Sequence, residues 1–257
     1  MKGKYFDTGR VRTLTPVTNQ LGTGSEDAAF ADKDIVFDWV AIDIPKGTHR
    51  IVDACIAVQG NHGARQAEVD WQLWFAKPID GVAPSSLGTP NAGVTGTGHR
   101  NNMLGVMVIN STQSASDVYA YNSFMSSGNV SSGGGDSPNT GIIVNGEKMT
   151  DTSEGFHRIY VAGLTMGALN FSTNVLLNQG SNQAATTTAT TLTVDGAHAT
   201  KVFSVGDTIQ AMDLAAIGTI TALTTTSITV DKCEAALTDD DEILTTSPVR
   251  IKLGLEQ

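Results

Sequence analysis

The stretch EVDWQLWFA, residues 68–76, alternates without a break. Val69, Trp71, Leu73 and Phe75 fall on one side of an extended chain, and Glu68, Asp70, Gln72 and Trp74 on the other. A helix would scatter these apolar side chains around its axis, so the stretch reads as a strand with one face on a core. Its neighbours have the same character. DIVFDWVAIDIP, 34–45, carries Phe37, Trp39, Val40 and Ile42. RIVDACIAVQG, 50–60, is apolar on both faces, as a central or doubly covered strand would be. Lys46-Gly47-Thr48 and Asn61-His62-Gly63 are turns between them. MLGVMVIN, DVYAYNSF, GIIVN, HRIYVAGL and LNFSTNVLL continue the series downstream.

Residues 34–177 therefore hold about eight short strands with turns between most of them. No strand–helix–strand spacing is present, which argues against a parallel sheet. An antiparallel, jelly-roll-like β-sandwich fits this strand count. Two long loops, 77–102 and 126–141, interrupt it. They are expected to be mobile or to lie at contacts, because a scaffold usually carries its contacts on its loops.

Residues 178–191, NQGSNQAATTTATT, have no apolar periodicity and read as a linker. From Leu192 the pattern changes to TLTVD, VGDTIQAM, IGTITALT, SITVD, DEILTTS and VRIKLGL. Five or six strands in about 70 residues would close as a small barrel. The chain thus reads as all-β: an extended arm over 1–33, a sandwich over 34–177, and a linker with a small β-barrel over 178–257.

Within the last part, ATTLTVDGAHATKVFSVGDTIQ and TTSITVDKCEAALTDDDEIL echo each other. In each, an alternating strand ends at an aspartate, Asp195 or Asp231. A small-residue connection follows, and Asp207 or Asp241 then leads into Ile209 or Ile243. An aspartate at a strand end accepts backbone N–H bonds and starts a turn, so the echo reads as two related β-turn-β units. The acidic run 239–242 becomes a turn tip and the start of a strand. It lacks the alternating oxygens, central glycine and distal glutamate of an EF-hand loop. A solvated edge that discourages strand aggregation is the simpler role.

Composition narrows the function. A 257-residue chain with 40% hydrophobic and 16% charged residues can bury a substantial core. The net charge of −10 disfavours nucleic acid as a partner. Residues 1–12 run the other way, with Lys2, Lys4, Arg10 and Arg12 against Asp7. Such a basic arm could dock on an acidic neighbour, the alternative being a solvated tail. Cys55 and Cys233 are too few and too far apart for a disulfide framework and read as small buried residues. No apolar run is long enough for a membrane span, and MKGKYFDTGR has no apolar segment of the kind a secretory signal carries. Synthesis in the cytoplasm is the expectation, which leaves the N-x-S/T triplets at Asn110, Asn129 and Asn170 as chance matches.

No catalytic constellation stands out, and neither an enzyme nor a cofactor is expected. His49, His62, His99, His157 and His198 show no metal-ligand spacing. GDSP, 135–138, has the serine of a protease nucleophile motif without its following glycines. Trp74, on the polar face of its strand, could stack on a sugar, touch a protein partner or pack beneath a loop.

TLTVD, FSVGDTI, IGTITALTTTSITVD, AALTDDDEI and SPVRIKL together resemble a β module that recurs in structural proteins of tailed bacteriophages. The resemblance covers about a quarter of the chain. It implies a virion component with an assembled shell as its partner. On that expectation the chain is a capsid decoration, or cement, protein on the capsid exterior. It would bridge major capsid subunits as a dimer or trimer, with Lys2, Lys4, Arg10, Arg12 and Trp74 as candidate contacts. The alternatives are a tail-fibre or baseplate module, a major capsid or tail-tube subunit, and a carbohydrate-binding sandwich using Trp74, Tyr119 or Tyr121.

Overall fold

The computed structural model describes residues 11–16, 29–59, 69–109, 114–116, 122–127, 141–169, 171, 175–176, 183–196, 199–211 and 215–257. Lys2, Lys4, Arg10, His62, Tyr119, Tyr121, His198 and the loop tip 128–140 lie outside the described residues. Strands dominate. Among the described residues, helix is confined to one turn, α1 (Ala199–Val202), and a 3-10 turn at His99–Asn101.

The alternating stretch behaves as its pattern dictates. It forms β4 (Trp71–Ala76), with Trp71, Leu73 and Phe75 fully buried and Gln72 and Trp74 on the other face. β4 lies between β9 (Phe156–Thr165) and β5 (Met103–Ile109), and β2 (Ile35–Pro45) completes a four-stranded antiparallel sheet in the order β2-β9-β4-β5. A second antiparallel sheet runs β1 (Val11–Leu14), β16 (Val249–Glu256), β3 (Thr48–Gln59), β7 (Asn122–Ser127), β6 (Ser114–Ser116). β8 (Ile142–Asn145) pairs with the first half of β3, beside the stretch that β7 covers.

The two sheets enclose one core. Ile51, Ala54, Ile56, Val58, Ile251 and Leu253 from one meet Ile44, Leu73, Phe75, Met107, Ile109 and Val161 from the other, none more than 1% exposed. Each of the larger side chains contributes about 1.5–3 kcal/mol relative to exposure, before the entropy of ordering the chain is counted. This is a β-sandwich in which successive strands mostly alternate between sheets.

The placement of β16 departs from expectation. The sequence pattern groups VRIKLGL with the C-terminal module; instead Val249–Glu256 pairs with β3 on one side and β1 on the other. Its alternation explains this. Val249, Ile251, Leu253 and Leu255 all face the sandwich core, while Arg250, Lys252 and Glu256 face out. The strands from β10 (Val175–Leu176) to β15 (Glu242–Thr245) thus form a unit inserted in the sandwich, not one appended to it.

The arm also differs from a free extended segment where it is described. β1 zips onto β16 with Val11 opposite Gly254 and Leu14 opposite Ile251, and Leu14 is buried. Phe30 is fully buried, bridges Leu169, and meets Phe171 edge-on at 5.7 Å. Both pieces belong to the sandwich.

The inserted unit carries the echo noted in the sequence, and its pairing follows a two-fold axis. β11 (Thr190–Thr193) pairs antiparallel with β14 (Ser227–Val230), and Leu192 faces its own counterpart, Ile228. β12 (Thr208–Ala211) pairs with β15 (Glu242–Thr245), and Gln210 faces its counterpart, Leu244. β13 (Ala216–Leu223) on β12 is matched by β10 (Val175–Leu176) on β15, with Gly218 opposite Ile209 and Val175 opposite Ile243. Each repeat opens its second strand with the same turn. The Ser204 N–H donates to Asp207 Oδ2 at 2.8 Å, and the Thr238 N–H donates to Asp241 Oδ2 at 2.5 Å. Gly206 and Asp240 stand in equivalent left-handed positions, at φ +96 and +62.

The expected barrel is not closed. The sheet runs β10-β15-β12-β13-β14-β11 and stops one ladder short. Symmetry would join β10 to β11 as β13 joins β14, but the segment before β11 bonds elsewhere, with Gln183 bridging Leu237 and Thr186 bridging Cys233. Leu192, Val194, Ile209, Ile217, Ile228 and Ile243 form a separate core for this unit.

Candidate functional site

Arg12 is the one member of the basic segment among the described residues. Its position on β1 places it opposite Leu253, and its guanidinium lies 5.3 Å from the centroid of the Phe156 ring. Nε and Nη2 are buried without hydrogen-bond partners, so the ring face is the cation's described contact. Arg12 thus helps to seat the strand. Val11, before it, is 61% exposed at the open edge of the sheet.

Trp74 lies on the outer face of the other sheet, opposite Ala162 of β9 and Val106 of β5. Its indole N–H donates to Gln72 Oε1 at 3.0 Å. With Trp39 and Val94 it packs on a small cluster of Ile35, Leu87, Ala162 and Leu164. Leu87 comes from the 77–102 loop, which is pinned along its length. Thr95 and Gly96 donate to Leu87 O, Leu87 N–H donates to Asp38, and Trp39 Nε1 donates to Ser85 O. The loop is a cover laid over the sheet, and Trp74 sits half-buried beneath it. Arg12 and Trp74 are not brought together: one lies at the start of β9 and the other on the far face of the sheet at its middle.

The cover also buries His99, whose ring is tilted against Trp39 at 6.1 Å, with both nitrogens unpartnered. His49 Nε2 meets Pro45 O at 2.8 Å, and His157 Nδ1 meets Gly146 O at 3.0 Å. His49 is thus taken up by its own turn and His157 by a backbone carbonyl eleven residues upstream. No grouping of His, Cys, Asp or Glu suited to a metal ion occurs among the described residues. In the acidic turn, burial and the neighbouring Asp240 and Asp195 push the Asp239 carboxyl above its usual range.

A cleft between the two units, of about 320 Å3, was not foreseen from the sequence. The outer face of β3 and β16 supplies Cys55, Ala57, Arg250 and Lys252, with Lys252 paired opposite Cys55 and Arg250 opposite Ala57. α1 and the turn after it supply Thr200, Lys201, Phe203 and Ser204. Thr245, Ser247 and Pro248, where the chain passes from the inserted unit into β16, close one end. Three cations thus line the cleft against one carboxylate, Asp207, which the Ser204 N–H already engages. Burial, aided by Asp53, pushes the Cys55 thiol up, and Lys252 opposes this only in part. That disfavours the thiolate and hence a nucleophilic role. Sequence reasoning missed the cleft because its walls come from three distant segments.

No protein-family model matches the chain. A search of curated proteins likewise found no match.

Proposed function

We propose that this chain is a structural virion protein of a tailed bacteriophage, a capsid decoration protein that bridges major capsid subunits on the shell exterior. The strand order of the sandwich carries the reading. Counting β6–β8 as one stretch, the sandwich has eight strands in chain order, and its sheets run first-eighth-third-sixth and second-seventh-fourth-fifth. We read this order as that of a jelly roll, an architecture shared by viral capsid and lectin domains. The resemblance to phage structural proteins, carried by the inserted unit and by SPVRIKL at its exit, favours the viral side of that pair. A sugar platform at Trp74 is disfavoured because the 77–102 loop packs with it on one cluster.

On this reading, β1 seats the basic segment at an open sheet edge. Lys2, Lys4 and Arg10 precede that strand in the chain and would meet acidic capsid residues. The assignment is tested by labelled-antibody electron microscopy of intact virions. Label spread over the head is expected; label confined to the tail tip, or absent from virions, overturns it. Deleting residues 1–10 tests the arm, and reduced retention on capsids with an unchanged melting temperature is expected. The deletion stops at residue 10 because Leu14 and Phe30 belong to the core.

A further inference from the structure

We propose that the cleft between the sandwich and the inserted unit binds a phosphate monoester with a small apolar body. The proposal is independent of the virion reading. The protein carries a net charge of −10, yet this cleft is lined by Lys201, Arg250 and Lys252 against one lining carboxylate, Asp207, with Asp53 near enough to act on Cys55. Arg250 and Lys252 are alternate residues on the outward face of β16, so their side chains project from the same face about 7 Å apart along the strand. Lys201 approaches from the other unit. Cations on both walls suit a doubly charged head better than a single carboxylate, and a guanidinium can hold two phosphate oxygens at once. Ser204 and Ser247 add hydroxyls that can donate to the remaining oxygens.

Ala57, Val58, Val202, Phe203 and Pro248 supply the apolar part of the lining. The volume lies at the small end of ligand pockets, which run roughly 300–1,000 Å3, so the organic body is limited to about one ring. The position suits ligand control of the whole molecule, because a bound anion ties α1 to β16 and so fixes one unit against the other.

Isothermal titration of the full chain with phenyl phosphate at low ionic strength tests this. Saturable binding at one site is expected, with inorganic phosphate weaker and benzyl alcohol inert. Benzoate, with one charge, is expected to bind about tenfold more weakly. Arg250→Gln, Lys252→Gln and Lys201→Gln each lower the affinity by about tenfold. All three positions are exposed, so these variants keep the parent melting temperature, and Arg100→Gln, on the loop over the other sheet, leaves binding unchanged. Absence of saturable heat overturns the site. Equal binding of benzoate overturns the phosphate class, and binding unaffected by any of the three variants, or lowered equally by Arg100→Gln, overturns the location.

Discussion

Asp207 and Asp241 perform one task in two turns, and Asp34 performs it in a third. The Ala31 N–H donates to Asp34 Oδ2 at 2.7 Å, and Lys33 takes the left-handed position at φ 69. In each turn a carboxylate three residues on holds a backbone N–H, which frees the residue between to turn left-handed. Glycine suits that position in one copy, and L-residues bear its strain in the others. Gly206→Val should therefore destabilise the protein by about 1–2 kcal/mol, whereas Asp240→Gly should be neutral or stabilising by up to about 1 kcal/mol. Urea unfolding of the two variants checks this, and equal losses would refute it. Arg158 works differently, bridging Asp43 at 2.8 Å and Asp151 at 2.7 Å. Its hydrogen bond holds the Asp151 carboxyl below the ordinary range, as the Thr219 N–H does for Asp231. A depressed carboxylate contributes stability that is complete above its unfolded pKa, about 3.9, and is lost as pH falls through the folded value. Arg158→Gln should move the Asp151 titration up toward that ordinary value while leaving Asp231 in place, as carboxyl NMR across an acid titration would show.

Elements were legible where their pattern was local. Trp71, Leu73 and Phe75 declared the buried face of β4, and the two aspartate turns showed through the echo between the repeats. Pairing partners were not legible. The alternation in VRIKLGL shows that one face is buried but carries no mark of which sheet buries it, so sequence position alone groups β16 with its neighbours in the inserted unit, whereas it pairs in the sandwich. The 77–102 loop was hidden for a related reason: Leu87 is one apolar residue among prolines and glycines, and its burial depends on Ile35 and Leu164 far along the chain. Within the sheet of β2, β9, β4 and β5, Gly163 marks a close approach. A Cβ there would stand 2.1 Å from the buried Phe37 ring. Gly163→Ala should cost about 1–3 kcal/mol through forced displacement of that ring, and a Gly163→Ala, Phe37→Leu pair should recover part of it. Melting of both variants measures the recovery, and strict additivity would argue against the contact.

At the scale of the whole molecule, the inserted unit has its own core and its own two-fold plan, and both sheets of the sandwich are built without it. Replacing 175–247 with a flexible linker of about ten residues, with a reach of up to ~33 Å, should leave the sandwich folded. Circular dichroism and a cooperative urea transition would show this, whereas loss of the transition would mean that the sandwich depends on its insertion. The first and last strands raise a different matter. β1 and β16 are antiparallel neighbours with Val11 opposite Gly254, so the start of β1 and the finish of β16 lie at the same end of one ladder. A tensile load applied between the termini acts across that ladder and breaks its hydrogen bonds one at a time, at low force. A load pressing the two sheets together meets the packed core all at once. The molecule therefore resists compression like a rivet but peels open when pulled by its ends.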